Sequence, residues 1–399
     1  MSAPPLGIRA SIHAIPETKI AEVANYGRGR EGLITLWFGE GDEPTPDLIK
    51  EATIASLRRG ETFYTWQRGI PELRDALAEY LTALAGRPVA ADRITLTNSG
   101  MTAIMIALQM ICDPGDEVVI VGPVWPNIRS AVAVQGGVVR EASLHLSEEG
   151  WTLDLDRLFA AVTPRTRAIF VNSPGNPTGW VMDRAQQRAL LDFARRRGLW
   201  LIADEVYQRL VYDQDSAPSV LEIAEPDDRV LVVNSFSKSW MMTGWRLGWL
   251  THPPALGDTA AKLVQVSTSG LPVFLQRGAV AAVRDGEPIV KALVERCRES
   301  RDILFERLGR WPRVTAVPPK GAFYAFVRVA GVDDSVALAK RLIDEAKVAV
   351  SPGIAFGEAG EGCLRICFAC KPETIRAALD RLEPVLGGPR DNRDLAAAE

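Results

Sequence analysis

The sequence has no excess of positive charge and no long apolar run. Its 399 residues include 46 Lys and Arg against 50 Asp and Glu, a formal net charge of -4. Nucleic acids and anionic membranes are bound by basic surfaces, so we expect neither as a partner. The longest mainly apolar run, from Ala103 to Ile111, is much shorter than the roughly 18–20 residues that span a bilayer. The first ten residues lack the pattern of a secretory signal, so a cytoplasmic protein is expected.

Cysteine is also scarce. The five cysteines form an odd, sparse set, which indicates reduced thiols in the cytoplasm rather than a disulfide framework. Cys363, Cys367 and Cys370 are spaced a little like metal ligands, but no fourth ligand lies nearby and an arginine stands among them. We therefore predict no metal site there, and a buried strand that uses cysteine as a small apolar residue.

The pattern of apolar residues predicts an α/β fold. At 47% hydrophobic and 24% charged, the composition is that of a globular protein. Short β-rich runs alternate with helical stretches such as 102–111 and 184–197, which is typical of βαβ units and a mainly parallel sheet between helices. The candidate strands cover residues 94–97, 117–121, 168–172, 200–204, 230–234 and 247–250.

The alternation predicts two domains and an N-terminal segment. The regular pattern occupies a large domain at 47–285. A long charged helix at 287–307 then leads into short strands at 322–329, 348–351 and 363–368, which predicts a smaller α+β domain at 286–399. The Gly/Pro-rich N-terminal segment, 1–46, is expected to pack with the small domain.

Polar residues follow several predicted strands at the edge of the sheet where α/β proteins bind ligands. The turn 98–102 opens a helix and can hold a phosphate, although many such turns bind nothing. Asn176 stands in a Pro/Gly-rich turn after strand 168–172, and its amide can donate to a ligand oxygen. Asp204 ends strand 200–204, either as a helix cap or as a ligand-binding carboxylate.

Lys238 is the most informative of these residues. It lies just past an apolar strand, where desolvation favours the neutral amine that can add to an aldehyde. Arg246, eight residues later, can hold a phosphate bidentately, with Ser235 adding a hydroxyl. Together with Asn176 and Asp204 at the same sheet edge, these groups point to pyridoxal phosphate, which needs a lysine for its aldehyde and an anion for its ring nitrogen.

Three motifs, in this order and spacing, identify a family. They are Asn176-Pro-Thr-Gly179, Asp204-Glu-Val-Tyr207, and Ser235-Phe-Ser-Lys238 followed by Gly244-Trp-Arg246-Leu-Gly. Over nearly its whole length the chain resembles the class I/II aminotransferases of the fold-type-I pyridoxal-phosphate family. The resemblance implies pyridoxal 5'-phosphate as cofactor, and transfer of an amino group from an L-amino acid to a 2-oxo acid by a ping-pong mechanism.

The resemblance also implies roles for the residues that match the cofactor site. Lys238 matches the lysine that forms the Schiff base and later shuttles a proton, and Asp204 matches the partner of the pyridinium nitrogen. Asn176 and Tyr207 match the groups that bind the phenolic oxygen, and Trp125 matches the aromatic residue stacked on the ring. The phosphate-binding positions are matched by Ser99, Gly100, Met101, Ser235 and Arg246.

Three further matches concern the substrate and the partner subunit. Arg365 matches the arginine that binds the substrate α-carboxylate, and Gly39 matches a backbone position near that carboxylate, where Asn176 is also expected. Tyr64 matches a tyrosine that reaches the phosphate of the neighbouring subunit, which implies a homodimer with shared active sites.

Two other functions stay open. A lyase, such as one catalysing carbon–sulfur β-elimination, would use the same residues and differ only in which bond breaks. A ligand-sensing domain of a transcription regulator would need a basic DNA-binding module, for which this chain has no room.

The amino donor is left undecided by the motifs. The segment 39–42 reads Gly-Glu-Gly-Asp where Gly-Glu-Pro-Asp is usual, and Trp180, Trp240 and Met241 also depart from the family pattern. The stretch 269–274 is apolar, as are Ile15, Trp37 and Phe38. These residues favour a neutral or aromatic donor over aspartate.

Overall fold

The computed structural model describes residues 7–388, which contain fourteen α-helices and fifteen β-strands. The helices are α1 (Ala10–His13), α2 (Lys19–Gly27), α3 (Asp47–Arg58), α4 (Pro71–Ala85), α5 (Gly100–Ile111), α6 (Asn127–Val134), α7 (Leu155–Ala160), α8 (Arg184–Arg197), α9 (Phe236–Ser239), α10 (Gly257–Thr268), α11 (Val273–Asp285), α12 (Glu287–Leu308), α13 (Ser335–Arg341) and α14 (Pro372–Leu386).

The fifteen strands of residues 7–388 vary in length from two to seven residues. The strands are β1 (Ile34–Thr35), β2 (Ile94–Thr97), β3 (Glu117–Gly122), β4 (Val138–Ser143), β5 (His145–Ser147), β6 (Gly150–Thr152), β7 (Thr166–Asn172), β8 (Trp200–Asp204), β9 (Val230–Ser235), β10 (Gly248–Thr251), β11 (Val314–Thr315), β12 (Tyr324–Val329), β13 (Val348–Ala349), β14 (Ser351–Pro352) and β15 (Cys363–Cys367).

A seven-stranded sheet forms the centre of the molecule, in the order β2-β10-β9-β8-β7-β3-β4. The pairs from β9 to β4 are all parallel, whereas β10 runs antiparallel to both of its neighbours. Every residue of β3 and β9 is buried, as expected of strands covered by helices on both faces. The predicted α/β fold with a mainly parallel sheet is confirmed.

A second, antiparallel sheet has the order β11-β12-β15-β14. It belongs to a separate apolar core that also includes residues of α2, α12 and α14. The N-terminal segment joins this core through β1, which pairs in parallel with β13.

The domain boundaries at 46–47 and 285–286 stay a prediction. The outer ends of the first and last predicted segments, residues 1–6 and 389–399, lie outside the described residues. Gly286 separates α11 from α12 near the second boundary.

Three observations concern disulfides, metal sites and membrane-spanning helices. All five cysteines are free thiols, and the strand Cys363–Cys367 is fully buried. Within residues 7–388 there is no group of His, Cys, Asp and Glu that could hold a metal ion. None of the helices described there has the length and apolar character needed to cross a membrane.

Candidate active site

A cavity of about 350 Å³ lies at the carboxyl ends of β7, β8 and β9, and we call it the Lys238 cavity. Eleven of the residues that the sequence singles out line it: Gly39, Gly100, Met101, Trp125, Asn176, Asp204, Tyr207, Ser235, Lys238, Arg246 and Arg365. The large-sheet core and the β12–β15 core therefore both contribute walls, together with the N-terminal segment.

Lys238 reaches this cavity from the short helix that follows β9. Ser235 ends the strand, and its Oγ accepts a hydrogen bond from the Ser237 amide at 3.1 Å, which turns the chain into α9. The Lys238 Nζ donates to the Gly39 carbonyl at 2.7 Å. Burial lowers the pKa of the Lys238 amine to about 8, so an appreciable fraction is uncharged and nucleophilic near neutral pH.

Asp204 brings a buried carboxyl to the same edge at the end of β8. Its Oδ1 accepts from the Val206 amide at 3.3 Å. Burial raises the pKa of this carboxyl to about 7, although the charge of Lys238 acts in the opposite direction. A cationic group arriving beside Asp204 would restore its ionised form, which fits a protonated ring nitrogen.

The opposite end of the cavity is suited to an anion. Gly100 begins α5, so the free amides and the positive end of the helix dipole face this region. Arg246, whose φ of 55° is left-handed, and Ser235 line the cavity beside it. β10 packs closely against this turn, because a Cβ on Gly248 would lie 2.6 Å from the Gly100 nitrogen.

Ser99 lies at the turn that begins α5, and its predicted contact with the phosphate stays a prediction. Its φ of 112° is unusual for a residue with a side chain, and its Oγ accepts from the Thr102 amide as the N-cap of α5. In the chain alone Ser99 therefore shapes the turn, and its side chain is not part of the cavity lining.

Arg365 is a second arginine that lines the cavity. It lies in the middle of β15, where it is only 3% exposed. Its Nη1 donates to Asn176 Oδ1 at 3.0 Å, and its Nη2 donates to Ser351 Oγ at 3.1 Å and to the Trp37 carbonyl. The Nε has no partner in the part of the chain that the structure describes. A buried guanidinium with neutral partners is a binding group for a carboxylate.

Tyr324 is the main cavity residue that sequence reasoning missed. It begins β12, and its hydroxyl oxygen lies 2.6 Å from that of Tyr207. Its ring centroid is 4.6 Å from the Arg365 guanidinium carbon. The sequence carries no local sign of this position, because it follows from the pairing of β12 with β15, in which Tyr324 is opposite Cys367. Also missed were Thr18, Ile20, Asn127 and Ser237, which line the cavity as well.

Tyr64 lies away from the Lys238 cavity in the single chain. Its side chain is 93% exposed and borders a separate cavity of about 480 Å³, the Tyr64 cavity. The apolar stretch 269–274 lines this second cavity, and not the one that contains Lys238. Of the three apolar residues predicted near the substrate, Phe38 lines the Lys238 cavity, whereas Ile15 and Trp37 do not.

Comparison with known proteins agrees with this geometry. The sequence model of the family described as aminotransferase class I and II matches residues 34–382. The chain is 38% identical to the aspartate/prephenate aminotransferase of Thermus thermophilus, over 89% of this chain and 91% of the relative. It is 35% identical to aromatic-amino-acid aminotransferase 2 of Thermococcus litoralis, over 94% and 97%.

Solved structures have the same fold. A Thermus thermophilus aspartate aminotransferase variant superposes with a TM-score of 0.89 and 36% sequence identity. The match covers 95% of this chain and 100% of that structure.

Proposed function

The chain belongs to the class I and II aminotransferases, is a pyridoxal-phosphate-dependent aminotransferase with the type I fold, and on that premise we propose the roles of its cavity residues. The proposal rests on the lining of the Lys238 cavity, which contains an amine, a carboxyl group and two arginine side chains that can each bind an anion. Pyridoxal phosphate supplies an aldehyde that condenses with amines and a ring that accepts electrons from the carbon bearing the amino group.

Lys238 is the amine that binds the cofactor and then moves the proton. Its lowered pKa, about 8, favours attack by the neutral Nζ on the aldehyde. With the cofactor bound and the substrate amine in place of the lysine, the free Lys238 Nζ would accept the proton from the substrate Cα and deliver it to the cofactor carbon. In the cofactor-free protein the bond to the Gly39 carbonyl holds Nζ in the cavity.

The remaining polar groups hold the cofactor. With the cofactor bound, Asp204 would be the partner of the ring nitrogen, Asn176 and Tyr207 would bind the phenolic oxygen, and Trp125 would be the aromatic residue beside the ring. The α5 N-terminus binds the phosphate through Gly100 and Met101, with Ser99 capping that helix. Ser235 and Arg246 complete the phosphate site.

Arg365 binds the α-carboxylate of the substrate, near Gly39. Because Asn176 already accepts a bond from Arg365, this amide links the cofactor to the carboxylate. Alignment of the Cα–H bond depends on this anchor, since small displacements are costly for rate.

The amino donor is proposed to have a neutral or aromatic side chain. Among the described residues that line the cavity, the cations are Lys238, Arg246 and Arg365, and each already has a role. The neighbouring Ile20 and Phe38 are apolar. The names of the relatives include both aspartate and aromatic-amino-acid aminotransferases. A kcat/KM for aspartate well above those for phenylalanine and leucine would contradict this choice.

We further propose a homodimer that shares its active sites. Three aromatic side chains of one loop are strongly exposed: Phe63 at 82%, Tyr64 at 93% and Trp66 at 61%. Exposed apolar clusters of this kind mark interaction surfaces. The buried Asn98 Oδ1, which has no partner within residues 7–388, lies on a residue bordering the Tyr64 cavity. A second copy seated there would cover the aromatic rings and bring Tyr64 to the partner's phosphate site.

A cytoplasmic location is proposed from the scarce, unpaired cysteines.

Chemical trapping tests the central assignment. The protein loaded with pyridoxal phosphate is reduced with borohydride, digested and analysed by mass spectrometry. The cofactor should be attached to Lys238, and the Lys238→Ala variant should show no attachment. Attachment to a different lysine would refute the assignment, and Lys291→Ala, at an exposed lysine on α12, is the matched control.

A further inference from the structure

Tyr324 carries a buried hydroxyl in the Lys238 cavity that the roles above do not use. The residue is fully buried, and its hydroxyl oxygen lies 2.6 Å from that of Tyr207. The two rings meet edge to face, with centroids 5.7 Å apart. This contact joins β12 of the smaller sheet to the turn that follows β8 of the large sheet, and both tyrosines belong to the apolar core of the smaller sheet.

The N-terminal segment leaves room for this hydroxyl. A Cβ on Gly39 would collide with the Tyr324 oxygen. The Gly39 carbonyl in turn accepts the bond from Lys238. Three segments that are far apart in sequence therefore meet at one hydroxyl group, directly beside the amine of the site.

The backbone before Tyr324 is held firmly in an unusual conformation. Ala322 has a left-handed φ of 57°. Its amide donates to the Leu210 carbonyl at 2.8 Å, and its carbonyl accepts from the Tyr212 hydroxyl at 2.5 Å. Strained backbone persists where its surroundings fix it. Here the surroundings tie β12 to residues 210–212, only a few positions after Tyr207.

The direction of the bond follows from counting protons. Burial raises the pKa of Tyr207 and of Tyr324 well above the usual value, so each hydroxyl keeps its one proton near neutral pH. In the chain alone either hydroxyl can donate to the other. Once the Tyr207 hydroxyl donates its hydrogen bond to the phenolic oxygen of the cofactor, only Tyr324 can donate in the bond between the two tyrosines.

We propose that Tyr324 is a positioning residue whose hydroxyl donates to Tyr207 and thereby strengthens the hydrogen bond from Tyr207 to the cofactor. The inference rests on the proposed function, because it requires Tyr207 to bind the phenolic oxygen. A hydroxyl that accepts a bond becomes a better donor. A stronger donor stabilises negative charge on that oxygen, which favours loss of the proton from the linked Lys238 nitrogen.

The test is a titration of the visible absorbance of the cofactor-loaded protein, from about pH 5.5 to about pH 10. Tyr324→Phe should raise the midpoint by roughly 0.3–0.6 unit, as expected from partial weakening of one charged hydrogen bond. Tyr207→Phe should raise it further. In the Tyr207→Phe background, Tyr324→Phe should add nothing, because the two hydroxyls act in series.

Each outcome has a definite meaning. An unchanged midpoint in Tyr324→Phe, with a shift in Tyr207→Phe, would overturn the inference and leave the proposed function intact. Unchanged midpoints in both would refute the role proposed for Tyr207. Additive shifts would also overturn the inference, since Tyr324 would then act independently of Tyr207.

Two further variants distinguish the effect of the Tyr324 hydroxyl from the effect of packing by its ring. Tyr80→Phe removes a hydroxyl that is bonded to Arg209 outside the cavity and should leave the midpoint unchanged. Tyr324→Phe retains the ring beside Arg365, so the KM of the amino donor should stay within about twofold, an effect well below 1.4 kcal/mol. Tyr324→Leu, which lacks the ring, should raise KM as well. A midpoint shift in Tyr80→Phe equal to that in Tyr324→Phe would contradict the assignment.

Discussion

Asp204 and Lys238 are charged residue types placed where water cannot solvate them fully. The pKa of Asp204 is raised to about 7 and that of Lys238 is lowered to about 8, in both cases mainly by burial. Each shift brings the group close to the pH at which its proton moves, as is common at functional sites. The same shifts make the stability of the cofactor-free protein depend on pH.

Asp204 should destabilise the cofactor-free protein as the pH rises from about 4 to about 7. The pKa of Asp204 is higher in the folded state than in the unfolded state, so the folded state binds more protons in this pH window. The free energy of unfolding therefore falls as the pH rises. Asp204→Asn mimics the neutral carboxyl, and we expect it to be more stable than the wild type at pH 8 by about 1–3 kcal/mol. Urea unfolding at pH 5 and pH 8 measures this difference.

The exposed carboxyl of Asp213 provides the control. Asp213→Asn should change the free energy of unfolding by less than about 0.5 kcal/mol at either pH. Equal stability of Asp204→Asn and wild type at pH 8 would contradict the burial argument. The variant should also bind pyridoxal phosphate more weakly, because the ring nitrogen loses its anionic partner.

Lys238→Ala should keep the fold and lose multiple turnover. The phosphate and ring contacts remain, so cofactor still binds without a covalent link, but no amine is left to move the Cα proton. We expect kcat to fall by ~10³-fold or more, with circular dichroism unchanged. A Lys238→Ala protein with undiminished kcat would refute the role of this lysine.

The positions of Lys238, Asp204 and Asn176 in the site could be predicted from the sequence for a general reason. The position of Tyr324 could not. Lys238, Asp204 and Asn176 each follow a strand predicted from its apolar residues, and the ends of parallel strands share one edge. Tyr324 enters from another sheet, and its position depends on how β12 and β15 pair. Nothing local to the sequence encodes that contact.

The N-terminus of α5 depends on its packing against β10. Gly248 has no room for a side chain, because a Cβ would lie 2.6 Å from both the Gly100 nitrogen and the Ser99 carbonyl carbon. Gly248→Ala must therefore move this turn, at a cost of about 1–3 kcal/mol. We expect the Kd for pyridoxal phosphate to rise about tenfold or more, measured by titration of the cofactor-free protein.

Gly244 in the same motif is the matched control. A Cβ there would meet no atom within 4 Å, so Gly244→Ala should change the Kd by less than about twofold, well under 1.4 kcal/mol. Equal effects of the two substitutions would show that the turn does not depend on close packing with β10.

The elements that could be predicted are those with strong apolar runs. Strands β2 and β8 have the predicted bounds, as does helix α8 (Arg184–Arg197). Strand β4, at the edge of the sheet, was not predicted because most of its residues are only partly buried or exposed. The two-residue strands β1 and β11 are too short to show any periodicity, and the single strand predicted at 348–351 is divided into β13 and β14.

Within residues 7–388 an aromatic surface is left uncovered. The exposed loop with Phe63, Tyr64 and Trp66 adjoins the end of α10, where Val266 is 81% exposed. Gly270, just after this helix, approaches the Trp66 carbonyl. If a second copy covers this surface, a charge placed there is buried without a partner, which is strongly unfavourable.

Val266→Glu should therefore weaken the proposed dimer. Sedimentation equilibrium should give the wild type twice the mass of one chain, and the variant a shift toward the single-chain mass at micromolar concentration. Val138→Glu, at a valine that is 46% exposed on the edge strand β4, should remain dimeric. A monomeric wild type would refute the shared active site, and a dimeric Val266→Glu would place the interface elsewhere.

The most direct test of the whole account is a half-reaction. Single amino acids are added to the cofactor-loaded protein without any 2-oxo acid, and both the cofactor absorbance and the 2-oxo acid released are measured. We predict that one equivalent of 2-oxo acid per site is formed while the cofactor is converted to its aminated form, and that Lys238→Ala does not sustain this conversion. Continuous release of 2-oxo acid and ammonia, with the cofactor absorbance unchanged, would instead identify a lyase.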